Sequence, residues 1–395
     1  MLEIFYTGLW PVSFLGKLIY TLVVTHITIV AVTVYLHRAQ AHRSLEVKPL
    51  LGWFFRIWVW MTTTMVTTQW VAVHRKHHAK VETKDDPHSP RVYGIKAIVF
   101  NGVYYYRQGK NTPGVIDQYS LGCPNDFFER ALLNSRVFQY SGILIVLAFN
   151  ILMFGALSGL VIWGVQMIWI PALAAGVING IGHYWGYRNY STEDDSTNIM
   201  PWGVIIGGEE LHNNHHAFPT SPKLSMKAFE FDIGYVYIKL FERLKWVKIK
   251  QKPMSLDQPA EKISDIIRAK VLVLSKFSRQ VVKPLLRTKK AMFKASNIGS
   301  YSGFKRVLTR PFTLINTMDY ELIKQVSKQD TELNVMCQFK ERLEGIYAKR
   351  LKAPQLLKEI DEWCQQAYQS GIESLKHYGE QLKHFIDGVH SDVKA

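Results

Sequence analysis

The sequence predicts an all-α protein: an integral-membrane helical bundle with a histidine-box domain on its cytosolic side. Three observations predict it. Long apolar runs are confined to the first 235 residues, three histidine clusters stand beside those runs, and the remainder is polar, basic and patterned as helix. Residues 16–36 (GKLIYTLVVTHITIVAVTVYL), 137–157 and 160–182 are each long enough to cross a bilayer as a helix. The link near Gly155 to Gly159 is short and uncharged, as a tight turn on the outer face requires. Residues 5–15 are apolar but interrupted by Pro11, which leaves a half-span or an interfacial segment. Segment 50–72 carries Arg56 and the threonines 62, 63, 64, 67 and 68, so it is expected to re-enter, lie in the interface or pack inside the histidine-bearing domain.

Composition divides the chain in two, at residues 1–246 and 247–395. Segments 223–246, 259–295 and 320–390 read as helices, broken by Pro253, Pro284, Pro311 and Pro354. The formal net charge of +16 calls for an anionic partner. The basic residues flank the apolar spans and fill the tail, with the densest run at Lys239, Arg243, Lys245, Lys248, Lys250 and Lys252, which fits membrane lipid on the cytoplasmic side. No zinc-finger, basic-zipper or RNA-platform pattern is present, so nucleic acid is not an expected partner. Three scattered cysteines make neither a disulfide framework nor a CxxC pair.

The histidines carry the chemistry. His37 and His42 form H-x4-H at the end of the first apolar run. His74, His77 and His78 form H-x2-H-H, repeated by His212, His215 and His216. His183 closes the last span, four residues after Asn179. Residues three and four apart share a helix face, so each H-x2-H-H box sets at least two imidazoles side by side. Imidazole binds iron, zinc, copper and nickel. Nine imidazoles exceed what one ion uses, so two ions are the economical reading, and the absence of cysteine from the boxes argues against a structural zinc site. A lone histidine is ordinarily a packed or solvated residue, but burying nine without partners is costly. The two spans between the second and third boxes bring both to one side of the membrane. Glu82, Asp86, Glu209 and Glu210 are candidates to orient the imidazoles through their outer N–H groups.

Further motifs surround the boxes. Trp70 precedes His74-Arg75-Lys76-His77-His78, followed by Glu82-Thr83 and Asp86-Pro87-His88. Asn179 and His183 lead to Gly186-Tyr187-Arg188 and Asn198-Ile199, then Gly208-Glu209, His212-Asn213, His215-His216 and Phe218-Pro219. On these motifs residues 16–245 resemble the membrane-bound acyl-CoA desaturases of the stearoyl-CoA Δ9 type, in their bacterial form. The resemblance implies two iron ions held by His37, His42, His74, His77, His78, His183, His212, His215 and His216, with Asn179 holding a metal-bound water and Trp70 lining the bend of an acyl tunnel. His88 is not an implied ligand. The implied reaction puts a cis double bond, at Δ9, into a long saturated acyl chain carried as acyl-CoA or on another carrier, using O2. No dinucleotide-binding GxGxxG and no fused haem or ferredoxin motif is present, so two electrons must come from a separate ferredoxin or flavoprotein reductase. The implied location is a bacterial inner membrane with the site on the cytoplasmic face.

Two departures stand out. Animal members carry Arg-Asp before the second box, where this chain has Ala72-Val73, and Thr-Trp ahead of the asparagine, where it has Ala175-Gly176. The first puts the carrier headgroup in question, and the second predicts a more open tunnel wall. Two rival readings remain at this point. A di-iron membrane hydroxylase shares the boxes and the oxygen chemistry. A metal transporter would place its ligands at bilayer depth rather than beside the spans.

Overall fold

The computed structural model describes residues 6–135, 137–251, 256–291, 301–312, 315–349 and 351–390, the side chains of Arg306 and His390 excepted. Lys252 and Pro253 lie outside the described residues. The chain divides into two compact units, Met1–Arg188 with Asp194–Pro253, and Asn189–Glu193 with Met254–Ala395.

The first unit is helical, with two short strand pairs. Helices Phe14–Ala41 and Ala156–Ile181 are long and apolar enough to cross a membrane by length and composition, and Ser141–Phe154 is a shorter apolar helix. Their outward residues are apolar: Phe14, Leu18 and Leu22 on the first, Leu144 and Phe149 on the second, Leu157, Leu160 and Ile168 on the third. Their inward faces include polar residues among the apolar ones. Tyr20 donates to Asn150 at 2.9 Å, and Asn150 donates to Gln166 at 2.9 Å. Apolar faces turned out and a hydrogen-bonded polar seam turned in are what helices need in lipid, where packing and interhelical hydrogen bonds hold the bundle. The expected tight turn is Gly155 alone. Its φ of 82° suits glycine, and a Cβ there would meet the Tyr6 carbonyl at 2.2 Å. Among the described residues, 8–13 of the apolar N-terminal stretch are not helical. Leu9 and Trp10 donate backbone N–H groups to Leu152 and Met153, and the helix begins at Phe14 behind the Ser13 cap.

Segment 50–72 does not run as one helix. Pro49–Thr63 ends at Thr64, whose φ is 61°, and a second helix, Thr67–Lys80, carries the central box. Arg56 is buried and held by Asp126 at 2.7 Å and Glu129 at 2.8 Å, so the charge is paired inside protein rather than exposed to lipid. The strand Leu45–Val47 pairs antiparallel with Val247–Ile249 and so ties the chain just after the first long helix to the end of the unit.

The second unit packs helices Lys270–Phe277, Thr317–Ser327, Thr331–Ala348, Ala353–Gln369 and Glu373–His390 around Phe277, Trp363 and Tyr378. Trp363 and Tyr378 reach the carbonyls of Phe339 and Val273, which satisfies their polar ends inside the core. Asn316 and Asp330 cap two of the helices. Pro284, expected as a break, is not one. A π-helical stretch, Ser278–Val282, precedes it, and the chain continues as helix through Lys283–Thr288. The widened turn before the proline makes room for a residue that donates no N–H.

Candidate metal centre and apolar cavity

The nine boxed histidines meet as two groups. His37, His42, His74, His78 and His215 form one, and His77, His183, His212 and His216 the other, each with its nitrogens within 4.8 Å of one another. The helices explain the division. On Thr67–Lys80, His74 and His78 are four apart and enter the group of five, whereas His77 faces the group of four. In His212–Ala217 the pattern inverts: His212 and His216 join the group of four and His215 the group of five. Each H-x2-H-H box therefore serves both groups. His37 and His42 are five apart, which an α-helix would splay. The helix becomes π-helical over Ala31–Ala41, and the His42 N–H bonds the His37 carbonyl at 3.1 Å, so the pair shares a face. The segment Pro171–Ile181, which carries Asn179, is π-helical too.

Four carboxylates fix the rings from outside. Asp86 accepts from His77 Nδ1 at 3.0 Å, Asp194 from His216 Nδ1 at 2.9 Å and Glu82 from His183 Nδ1 at 3.3 Å. Glu209 lies 2.8 Å from His37 Nδ1. A carboxylate at Nδ1 keeps the proton there and leaves Nε2 as a lone pair. Glu82, Asp86 and Glu209 match expectation. Glu210 does not, since it accepts the N–H groups of Ile206 and Gly208 and holds the loop instead. Asp194 was not singled out by the sequence. Glu209 is itself placed by buried Arg38, which grips Asp232 through two 3.0 Å bonds and the Gly207 carbonyl at 2.9 Å. Asn198 accepts the Asn214 N–H at 3.1 Å and Glu230 takes the Asn214 side chain at 2.8 Å, which anchors the third box.

The donor set fits metal. Nε2 atoms of His42 and His74 stand 2.8 Å apart, and those of His37 and His215, His78 and His215, and His183 and His212 stand 2.9–3.0 Å apart. Bonds of about 2.1 Å to one ion at right angles would set adjacent nitrogens about 3.0 Å apart. His77 Nε2 and His216 Nε2 are buried without a hydrogen-bond partner. Burial, and then the neighbouring imidazoles, hold His42, His74, His78, His212 and His215 well below the ordinary histidine value, so their lone pairs are free at neutral pH. Burial also lowers His216, to about 4, against the pull of Asp194.

His37, His74 and His212 also line an apolar cavity with Asn179, Trp70, Ile29, Val32, Val73, Val103, Ala174 and Ile178. Trp70 stacks on His74, with centroids 4.9 Å apart and an 11° interplanar angle. Gln69, Arg107, Lys110 and Gln139 add polar lining, and Lys110 donates to Gln69 at 2.9 Å. His88 lines the same cavity. It stacks on His77 at 4.4 Å, and both of its ring nitrogens are buried and unpartnered. Ala72 and Val73 are fully buried. Ala175 lines the cavity, but Gly176 does not open it. Helix Ile95–Asn111 packs there so closely that a Cβ on Gly176 would meet the Val99 carbonyl at 2.7 Å.

Comparison with known proteins agrees with this geometry. A sequence model of the family described as Fatty acid desaturase matches residues 10–226, and one described as Transposase matches residues 273–394. Delta-9 acyl-lipid desaturase 2 of Arabidopsis thaliana is 28% identical over 215 residues, 53% of this chain and 67% of that protein. Delta-9 acyl-lipid desaturase 1 of the same plant is 28% identical over 238 residues, 59% and 73% of the two chains. The sn-1 stearoyl-lipid 9-desaturase of Anabaena variabilis is 27% identical over 215 residues, 54% and 75%. The matched segment holds every one of the nine histidines and every helix that lines the cavity, and on that match, which covers more than half of its length, the chain belongs to the fatty acid desaturase family.

Proposed function

We propose that the protein inserts a cis double bond, at Δ9, into a long saturated acyl chain presented as acyl-CoA, using a di-iron centre, O2 and two electrons from a separate ferredoxin or flavoprotein reductase. The observation that carries the reading is an apolar cavity whose wall is formed in part by histidines of both groups. His37, His42, His74, His78 and His215 would hold one iron, and His77, His183, His212 and His216 the other, with Asn179 on a bound water. Iron would supply the oxygen activation that removes two hydrogens from adjacent methylenes. In balance, those two hydrogens, O2, two electrons and two protons give the alkene and two waters.

The chain's own residues supply position. A methylene offers no functional group to grip, so the bond that reacts is selected by where the cavity holds it. Trp70, fixed against His74, would set the bend beside the histidines. Glu82, Asp86, Asp194 and Glu209 hold the rings so that nitrogens rather than C–H edges face inward. The apolar walls keep water off the reacting carbons. The basic residues flanking the apolar spans support placing the site on the cytoplasmic face of a bacterial inner membrane.

A second reading of the carrier, an acyl group on a membrane lipid, draws on one observation. Ala72 and Val73, where animal members carry Arg-Asp, are apolar and buried and present nothing to a CoA headgroup. Relatives named as acyl-lipid desaturases point the same way. The test is the fatty-acid profile of a bacterial host expressing the protein beside its His74→Ala variant, by gas chromatography with mass spectrometry and double-bond location. A new oxygen-dependent Δ9 monoene, absent from the variant, is expected. A hydroxylated product would replace the desaturase by the hydroxylase reading. Supplying the purified enzyme and a reductase with stearoyl-CoA or with stearoyl phospholipid separates the carriers.

A further inference from the structure

Between Asp265 and Asp319 the sequence contains no aspartate or glutamate, yet it holds twelve lysines and arginines. Some of these cations find partners elsewhere in the second unit. Lys270 pairs with Glu193, Lys276 with Asp257 at 2.8 Å, and Lys289 with Asp330 and Glu332 at 2.7 Å each. One face is left uncompensated. Arg279, Lys283 and Arg287 recur every four residues along the continuous helical run from Lys270 to Thr288, and Lys305 comes to the same place from helix Tyr301–Leu308. Among the described residues, no ion pair reaches any of the four. Arg279 and Arg287 are exposed, and Lys283 and Lys305 are half-buried between them and the core. Burial first, and then repulsion from Lys305, Arg279 and Arg287, hold the Lys283 ammonium below its ordinary value, with no carboxylate opposing the shift. Like charges gathered this closely are unfavourable on their own and are relieved when an anionic layer lies against them.

We propose that this face of the second unit, built on Arg279, Lys283, Arg287 and Lys305, docks on the anionic headgroups of a lipid bilayer. Charge complementarity carries the assignment. Clustered lysine and arginine on one helical face is a composition that attracts anionic lipid phosphates. The unit is tethered to helices of membrane-crossing length, so phosphates of the bilayer are present at high effective concentration. The proposal does not depend on the reaction assigned above. Duplex DNA is the competing ligand to test, because the same residues fall within the segment matched by the Transposase model.

The experiment uses the full chain in nanodiscs of phosphatidylcholine alone, or with roughly a third phosphatidylglycerol. Acylation of individual lysines by an amine-reactive reagent is followed by peptide mass spectrometry, with Lys358, exposed and paired with Glu362, as reference. Lys283 and Lys305 should label about fivefold more slowly in the anionic discs, and about 0.5 M salt should remove the difference. Lys358 should not respond. Equal labelling in both discs overturns the proposal, and so does protection that appears only when duplex DNA is added to neutral discs. The variant Arg279→Glu/Arg287→Glu changes two exposed positions and leaves the core alone. It should abolish the lipid-dependent protection, and protection that persists would exclude this face as the docking surface.

Discussion

The two histidine groups come from the same boxes but differ in what stands behind them. The group of four has three carboxylates at its outer nitrogens, Asp86, Glu82 and Asp194. Among the described residues the group of five has one, Glu209, and that one shares its charge with Arg38 at 3.8 Å. One group thus has more donors and the other more compensating charge. Outer carboxylates raise the basicity of an imidazole and stabilise the charge on whatever it binds. The comparison teaches that donor number alone does not rank the two centres. The group of four should hold its ion more tightly for each imidazole, and it has no donor to spare.

The largest expected effect follows from that lack of a spare. His212→Ala leaves three imidazoles, so on the proposed two-ion centre the purified variant should retain about one ion in place of two, with desaturation down by more than about 100-fold. His42→Ala leaves four imidazoles in its group and should keep more of its metal. Metal per chain by elemental mass spectrometry checks both, and equal depletion would remove the inequality between the groups.

Next in size are the outer carboxylates. Under a chelator the metal should leave in two phases. Asp194→Asn should accelerate the slower phase by about 10- to 100-fold, and Glu209→Gln the faster one. Both variants acting on the same phase would mean that the centres are not electrostatically distinct.

How much of this was legible follows the same lines. The two H-x2-H-H boxes could be read from spacing, because i,i+3 and i,i+4 repeats on helices have few other uses, whereas His183 has no histidine near it in sequence. Their partition could not, since His77 and His78 are neighbours in sequence and serve different groups. The H-x4-H spacing did carry a signal for a π-helix, because five residues return to one face only if the turn is widened. Asp194 stood in plain view in the run Glu193-Asp194-Asp195, but nothing in a row of acids says which one turns inward. Glu210 was a natural candidate beside the third box. Gly207 and Gly208, with φ of 71° and 99°, let the loop fold back so that their neighbour serves the backbone. Among the described residues, the break at Thr64 and the continuity through Pro284 depend on packing that local sequence does not record.

A smaller effect concerns the cavity rather than the ions. Trp70→Phe keeps a ring against His74 but removes indole volume at the wall. Metal content should stay at the parent value, while activity on the preferred chain falls about tenfold and the preferred length shifts, as a change of a few carbons in an apolar pocket allows. Gas chromatography of products from mixed chain lengths reads this. A loss of metal instead would make Trp70 a support of the group of five.

The smallest expected effect falls on the tenth histidine of the site. His88 stacks on His77, donates its backbone N–H to Asp86 at 3.0 Å, and turns two unpartnered ring nitrogens into buried space beside the cavity. With His77 and Asp86 it forms a third trio of possible ligands, which shares His77 with the group of four. His88→Phe preserves the stacked ring and deletes both nitrogens. If His88 only packs, the variant keeps two ions, its slow chelator phase is unchanged and its activity stays within about tenfold of the parent. If His88 binds, the slow phase collapses toward the fast one. The two centres then differ in charge alone, and the advantage assigned to the group of four would have to be credited in part to a hidden fifth donor.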